Sequence, residues 1–187
     1  MNVIECSIPG LLLFEPRVFD DPRGFFYEGF NQEKVEDLTG IDFQIKQLNF
    51  SRSTKNVLRG LHFQKNPKAQ SKFISCIQGE ILDVVVDIRK NSPTYGQSEK
   101  ILLTNENFRR FYVPAGFAHG FLVVSESAEI MYAVDETYSA EHDSGIYFND
   151  PDLNIDWGVS QDQLILSEKD KKLPLLKEAD INFTYHG

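Results

Sequence analysis

Two short segments carry the residue types that proton-transfer chemistry needs. The first is Arg59-Gly60-Leu61-His62-Phe63-Gln64, followed by Lys72 and Gly79. The second is Pro114-Ala115-Gly116-Phe117-Ala118-His119-Gly120. An imidazole takes or gives a proton near neutral pH. A lysine held away from water can stabilise a developing oxyanion, the task a Lewis-acid metal performs elsewhere. Each residue also has an ordinary reading. A lone histidine is more often a hydrogen-bonded structural residue, and Lys72 could be a solvated strand lysine, since Phe73 and Ile74 do not settle which face it takes. Tyr132 reads as a half-buried packing residue, and Asp170 could simply be a capping carboxylate three residues after Ser167. His119 follows a tight Pro-Gly turn, where a structural role and a pocket role are both open. Arg23 and Arg59 each sit beside a glycine in an apolar run, which suits phosphate contact or a buried ion pair.

Short β-type runs must position these groups: Phe25–Phe30, Phe43–Ser51, Val57–Phe63, Lys72–Ile77, Ile81–Ile88, Lys100–Thr104, Arg109–Val113, Gly120–Val124 and Glu129–Val134. Turn formers such as Asn91-Ser92-Pro93 and Asn149-Asp150-Pro151 divide many of them, the pattern of a sandwich, jelly roll or barrel. Fifteen phenylalanines in 187 residues tilt the same way. Two helices interrupt the strands. Asn31 caps Gln32–Thr39 with Gly40 at its exit, and Ser167-Glu168-Lys169-Asp170 resembles a capping box for a short helix stopped before Pro174. The chain reads as one domain over 1–187, with a C-terminal helical segment at about 160–180 and a weakly ordered tail after Asp180. His142 reads as a surface residue, and His186 receives no role. A net charge of −9 without a basic stripe speaks against nucleic acid. Cys6 and Cys76 form no zinc or redox spacing. The N-terminus has no basic n-region, and Leu11–Phe14 is too short to insert into a membrane, so the cytoplasm is the expected location.

The second segment resembles the latter half-motif of cupins, a Pro-x-Gly-x-x-His turn. The first resembles the earlier half-motif with its metal ligands broken. His62 stands at the first ligand position, but Gln64 replaces the second histidine and Lys72 replaces the glutamate seven residues before Gly79. An ammonium where a cation would bind argues against a metal, so none is expected, nor any other cofactor.

The wider pattern resembles the dTDP-4-dehydrorhamnose 3,5-epimerase family from about Phe14 to Leu175. It comprises Asp21-x-Arg23-Gly24-x-Phe26-x-Glu28, Gln47-x-Asn49, Val57 through Gln64, Lys72, Gly79-Glu80, Asp83-Val84, Asp87-Ile88-Arg89, Pro114 through Phe121, Tyr132, Tyr138, Asn149-Asp150-Pro151 and Leu166-Ser167-x-Lys169-Asp170. The resemblance implies an all-β, cupin-type jelly-roll barrel with a few short outer helices. It also implies epimerisation of dTDP-4-dehydro-6-deoxy-D-glucose at C3 and C5, a step towards dTDP-rhamnose and surface carbohydrate such as O-antigen. His62 is then the base and Asp170 its orienting partner, Tyr132 the acid on the far face and Lys72 the enolate's counter-charge. Arg23, Phe26, Glu28, Gln47, Asn49, Arg59, His119 and Tyr138 match substrate-binding positions, with Arg23 and Glu28 reaching in from the partner of a homodimer. Two positions depart from the pattern. Leu48 stands where a polar residue is expected, and no lysine follows Tyr132. The alternatives are a C3-only epimerase or keto-isomerase on a related 4-keto sugar, a metal-dependent cupin oxygenase, and a non-catalytic sugar-binding cupin.

Overall fold

The computed structural model describes residues 1–185, so His186 lies outside the described residues. Thirteen strands and one α-helix follow one another: β1 Asn2–Glu5, β2 Leu12–Glu15, β3 Val18–Asp21, β4 Gly24–Tyr27, α1 Gln32–Thr39, β5 Gln47–Thr54, β6 Leu58–Gln64, β7 Lys72–Gln78, β8 Glu80–Asp87, β9 Ser98–Thr104, β10 Arg110–Val113, β11 Phe117–Val123, β12 Ser127–Val134 and β13 Asp143–Gly145. They form a six-stranded sheet in the order β1-β2-β10-β7-β12-β5 and a five-stranded sheet in the order β13-β6-β11-β8-β9. The hairpin β3-β4 stands apart as a two-stranded sheet. The expected all-β jelly roll is the observed architecture.

Side chains alternate between the faces of a strand, so every second residue points between the sheets. Those positions supply the central core: Leu13, Ile74, Phe111 and Ile130 from one sheet, Ile81, Val85, Phe117, Phe121 and Val123 from the other. Lys72 lies two residues before Ile74, and Tyr132 two after Ile130. The same alternation therefore carries them into the polar end of the interior. Phe73 takes the opposite face and packs with Phe14, Val35, Phe43 and Tyr112 under α1.

The outer face of the five-stranded sheet is covered by the chain after β13. Ile146, Phe148, Trp157, Leu176, Ile181 and Phe183 pack on Leu58, Val84, Val86 and Leu122. This explains the long apolar run of β8, which is buried on both faces.

The caps of α1 match the expectation. Asn31 accepts from the Lys34 amide, and Gly40 is left-handed at φ 72°. The expected C-terminal helix over about 160–180 is replaced by two three-residue 3-10 turns, Gln161–Gln163 and Asp170–Lys172. The Ser167 hydroxyl does accept from the Asp170 amide at 3.0 Å. The helix fails to propagate because the flanking backbone bonds elsewhere, Ile165 to Asn56 and Leu176 to the Asp150 carboxylate. Tertiary bonds override a weak local propensity. The tail is also not loose at its start. Ile181 and Phe183 are buried, and Lys90 bonds with Phe183 and Tyr185. The sequence reading missed β1 to β3 and β13, and began β5 too early: Phe43 is a buried plug beneath α1.

Strands β6 and β11 approach closely because two glycines face each other. Gly60 has φ +127°, and a Cβ there would lie 2.5 Å from the Gly120 Cα and 2.9 Å from the His119 carbonyl oxygen. Gly60→Ala is therefore expected to destabilise the fold by about 1–3 kcal/mol through overpacking, before the strain of its backbone is added. Urea unfolding measures this, and an unchanged midpoint would refute the close-approach account.

Candidate active site

A cavity of about 610 Å³ opens between the sheets at the polar end of the barrel. His62, Lys72, Tyr132 and Asp170 all line it, together with Arg59, His119 and Tyr138. These seven candidates come from β6, β7, β11, β12, the loop after β12 and the C-terminal segment.

The Nε2 of His62 lies 2.7 Å from Oδ1 of Asp170. Asp170 is 3% exposed whereas the imidazole is 35% exposed, so the carboxylate sits behind the ring and the ring faces the cavity. Burial pushes the Asp170 carboxyl up, but bonds from His62, the Gly60 amide and Ser167 outweigh it and hold the group below the usual carboxylate range. Capping and pairing thus coexist at Asp170: its amide serves Ser167 and its carboxylate serves His62.

Lys72 is buried, and burial lowers its ammonium to about 8 against the opposing pull of Asp83, Asp135 and Asp143. Tyr132 projects from the six-stranded sheet, whereas His62 projects from the five-stranded one. The two groups stand on opposite walls. Burial raises the Tyr132 phenol, with nearby Arg59 pulling it back, so it keeps its proton at neutral pH. Arg59 is steadied by a 3.0 Å bond from its Nε to Ser53.

His119 is the register partner of His62 across the β6–β11 pair. It has its own buried carboxylate, with Nε2 at 2.9 and 3.1 Å from the two oxygens of Asp83. The sequence reading gave Asp83 no role. Its signal was a charged residue in the buried run Ile81–Ile88, where an unpaired carboxylate would be costly. Also missed were Asp143 and Lys169, which pair with each other at the cavity wall, Asp143 also accepting from the Tyr138 hydroxyl at 3.0 Å.

Five candidates are not brought to the cavity. Gln47 and Asn49 bond to each other at 2.7 Å, and Gln47 accepts from the Tyr138 amide at 3.0 Å, so they brace the loop that carries Tyr138. Arg23, Phe26 and Glu28 belong to the β3-β4 hairpin and its exit. There Arg23 pairs with Asp21 and Glu28 with Lys34 at 2.7 Å, while Phe26 is 69% exposed.

Gln64, at the second ligand position of the broken motif, has its side chain fully used. Its amide nitrogen donates to the Lys68 and Thr137 carbonyls, and its oxygen accepts from the Ser139 amide. With Lys72 lining the same cavity, the donor set does not suit a divalent ion. Among the described residues no group of three His, Cys, Asp or Glu side chains is arranged to hold one.

Fold and cavity together define a cupin-type barrel whose pocket presents two carboxylate-backed imidazoles, a buried ammonium and a phenol to a small molecule. The sequence matches the family model described as dTDP-4-dehydrorhamnose 3,5-epimerase over residues 5–178. The chain belongs to that family and is an isomerase of its type. It is 49% identical over 182 residues to dTDP-4-dehydrorhamnose 3,5-epimerase of Shigella flexneri, covering 97% of this chain and 94% of that one. The solved dTDP-6-deoxy-D-glucose-3,5-epimerase of Legionella pneumophila, in complex with dTDP-4-keto-L-rhamnose, superposes with a TM-score of 0.95 at 44% identity, covering 100% and 99%. The dTDP-4-dehydrorhamnose 3,5-epimerase of Bacillus anthracis, solved with TDP and pyrophosphate, gives 0.89 at 49% identity over 93% and 98%.

Proposed function

We propose that this chain epimerises dTDP-4-dehydro-6-deoxy-D-glucose at C3 and C5 to dTDP-4-dehydro-L-rhamnose, with His62 as base, Tyr132 as acid and Lys72 as the enolate's counter-charge. The observation that supports this best is the opposition of His62 and Tyr132 across one cavity. Inversion at carbon removes a proton from one face and returns it to the other, so the two groups must flank the sugar. Protons at C3 and C5 are acidic because each carbon adjoins the C4 carbonyl, and Lys72 would meet the oxygen on which the charge develops. Asp170 steadies the imidazole, and Arg59 with Lys169 offers positive charge to the diphosphate. Tyr138, 58% exposed at the rim, is available to stack on the pyrimidine. The test is incubation with the 4-keto sugar nucleotide in deuterated water with a strong chelator present, reading deuterium at C3 and C5. Absence of label, or a need for added divalent ion, would reject the reading.

The Lys72 ammonium sets a pH dependence. A lysine lowered to about 8 is charged at neutral pH and loses its proton as the pH rises through that value. Turnover should therefore fall on the alkaline side near pH 8. Asp83 is the first of the charges that hold the Lys72 proton. Asp83→Asn removes that charge and should move the alkaline limb to lower pH, as pH–rate profiles of both proteins will show. A limb that stays in place would exclude Lys72 as the titrating group.

The working unit is a homodimer in the cytoplasm. Among the described residues no helix is long and apolar enough to cross a membrane. The β3-β4 hairpin exposes Phe19, Phe25 and Phe26, and the edge strand β5 exposes Leu48 and Phe50. A two-stranded hairpin is marginal alone, and an exposed apolar surface of this kind favours a partner. A second copy would bring its Arg23, Phe26 and Glu28 to this copy's pocket. Light scattering should give about twice 21.4 kDa, and Arg23→Ala should raise KM more than it lowers kcat. A fully active monomer would contradict this.

A further inference from the structure

The base's carboxylate partner is delivered by a segment with little secondary structure of its own. Residues 166–173 run past the cavity as a strap, contributing Leu166, Ser167, Lys169 and Asp170 to its wall. One end of the strap is fixed where Ile165 bridges Val57, with hydrogen bonds of 2.9 and 3.0 Å. The other end is fixed by Asp150. This carboxylate is 2% exposed and, among the described residues, has no cation partner; it accepts from the Leu176 amide at 2.6 Å and the Asp152 amide at 2.8 Å. The Tyr147 amide adds a 2.8 Å bond to the Pro174 carbonyl, and Leu173 seats on bare Gly145, where a Cβ would lie 2.8 Å from its methyl group. Asp170 lies between the two fixed ends.

A buried carboxylate is costly unless its oxygens are hydrogen-bonded, so releasing the Leu176 or Asp152 N–H from Asp150 carries a penalty and the strap is held to it. We propose that Asp150 is a positioning residue for the reaction: by clamping Leu176 it holds the strap in register and sets the Asp170 carboxylate against His62. It touches no reacting atom and acts only through Asp170. The kinetic part of the inference rests on the epimerase reading above; the geometric part does not.

The experiment is a double-mutant cycle of Asp150→Asn and Asp170→Asn, with kcat, KM, thermal melting and the NMR signal of the His62 Nε2 proton recorded for each protein. A misplacement of about 1 Å at a catalytic group can cost ~10²-fold. Asp150→Asn should thus lower kcat by ~10–100-fold with KM nearly unchanged and shift the His62 proton signal. Added to Asp170→Asn it should lower kcat no further. Additive losses would overturn the proposal, as would a lower melting temperature with kcat and the His62 signal unmoved. Should Asp150→Asn fail to fold, Ile165→Pro opens the other fixed end. Leu164 already has an extended backbone, φ −75° and ψ 138°, that a following proline accepts. Ile165 also lines the cavity, so Ile165→Ala measures the side chain's own contribution; Ile165→Pro must lose kcat and shift the His62 signal well beyond it, and equal behaviour of the two would overturn the proposal. If the wild-type protein does not turn over the sugar nucleotide, the functional reading fails, and the His62 signal still decides whether the clamp exists.

Discussion

Replacing His62 with alanine should abolish both deuterium uptake at C3 and C5 and formation of the epimerised product. Of the two carboxylate-backed imidazoles on this wall it is the more open, its side chain 35% exposed against 10% for His119. General base catalysis contributes ~10²–10⁴-fold, so the loss should reach that range for both readouts together. The two readouts fall in step because no enolate forms without a base. Folding should survive, since the side chain faces the cavity and does not belong to a core cluster, and a near-normal melting temperature would establish that. If His62→Ala still exchanges deuterium at the normal rate, the base lies elsewhere. His119, its register partner with a separate carboxylate, would be the next candidate.

Tyr132→Phe should separate the same two readouts. Phenylalanine keeps the ring and its packing beside Ile130 and removes only the hydroxyl. His62 and Lys72 remain, so the enolate still forms and collapses back onto the face from which the proton left. Exchange persists while net inversion falls by ~10²–10⁴-fold. The phenol suits this role because burial keeps it protonated, and because it projects from the sheet opposite to that of His62. Lys72→Met gives the contrasting pattern, with both readouts suppressed because the enolate itself becomes costly. Measuring C3 and C5 separately also distinguishes double from C3-only epimerisation: a loss confined to one carbon would assign Tyr132 to that centre alone. Wild-type inversion by Tyr132→Phe would return the residue to packing.

What the sequence determined by itself was local or repetitive. Alternating apolar residues and regularly spaced turn formers specify strands, because side chains leave a strand on alternate faces. Asn31 and Gly40 specify the ends of one helix, because each satisfies a backbone requirement within a few residues. The broken ligand pattern of His62, Gln64 and Lys72 was legible too, since charge and donor type travel with the residue. The tertiary structure decided what depends on contacts distant along the chain. Phe73 and Ile74 left the face of Lys72 open until a helix covered one side of β7 and a second sheet the other. Asp170 could cap or pair by sequence; it does both, because residues 108 positions apart meet at 2.7 Å. Asp83 looked like one more acid in a strand until β11 placed His119 against it. The strap after Ser167 carries a helix signal that its fixed ends override, since a single turn's propensity is smaller than the tertiary bonds that replace it. The hairpin segment bearing Arg23, Phe26 and Glu28 contributes none of them to its own chain's cavity; its strands pair only with each other, and Phe25 and Tyr27 pack on Phe108 instead.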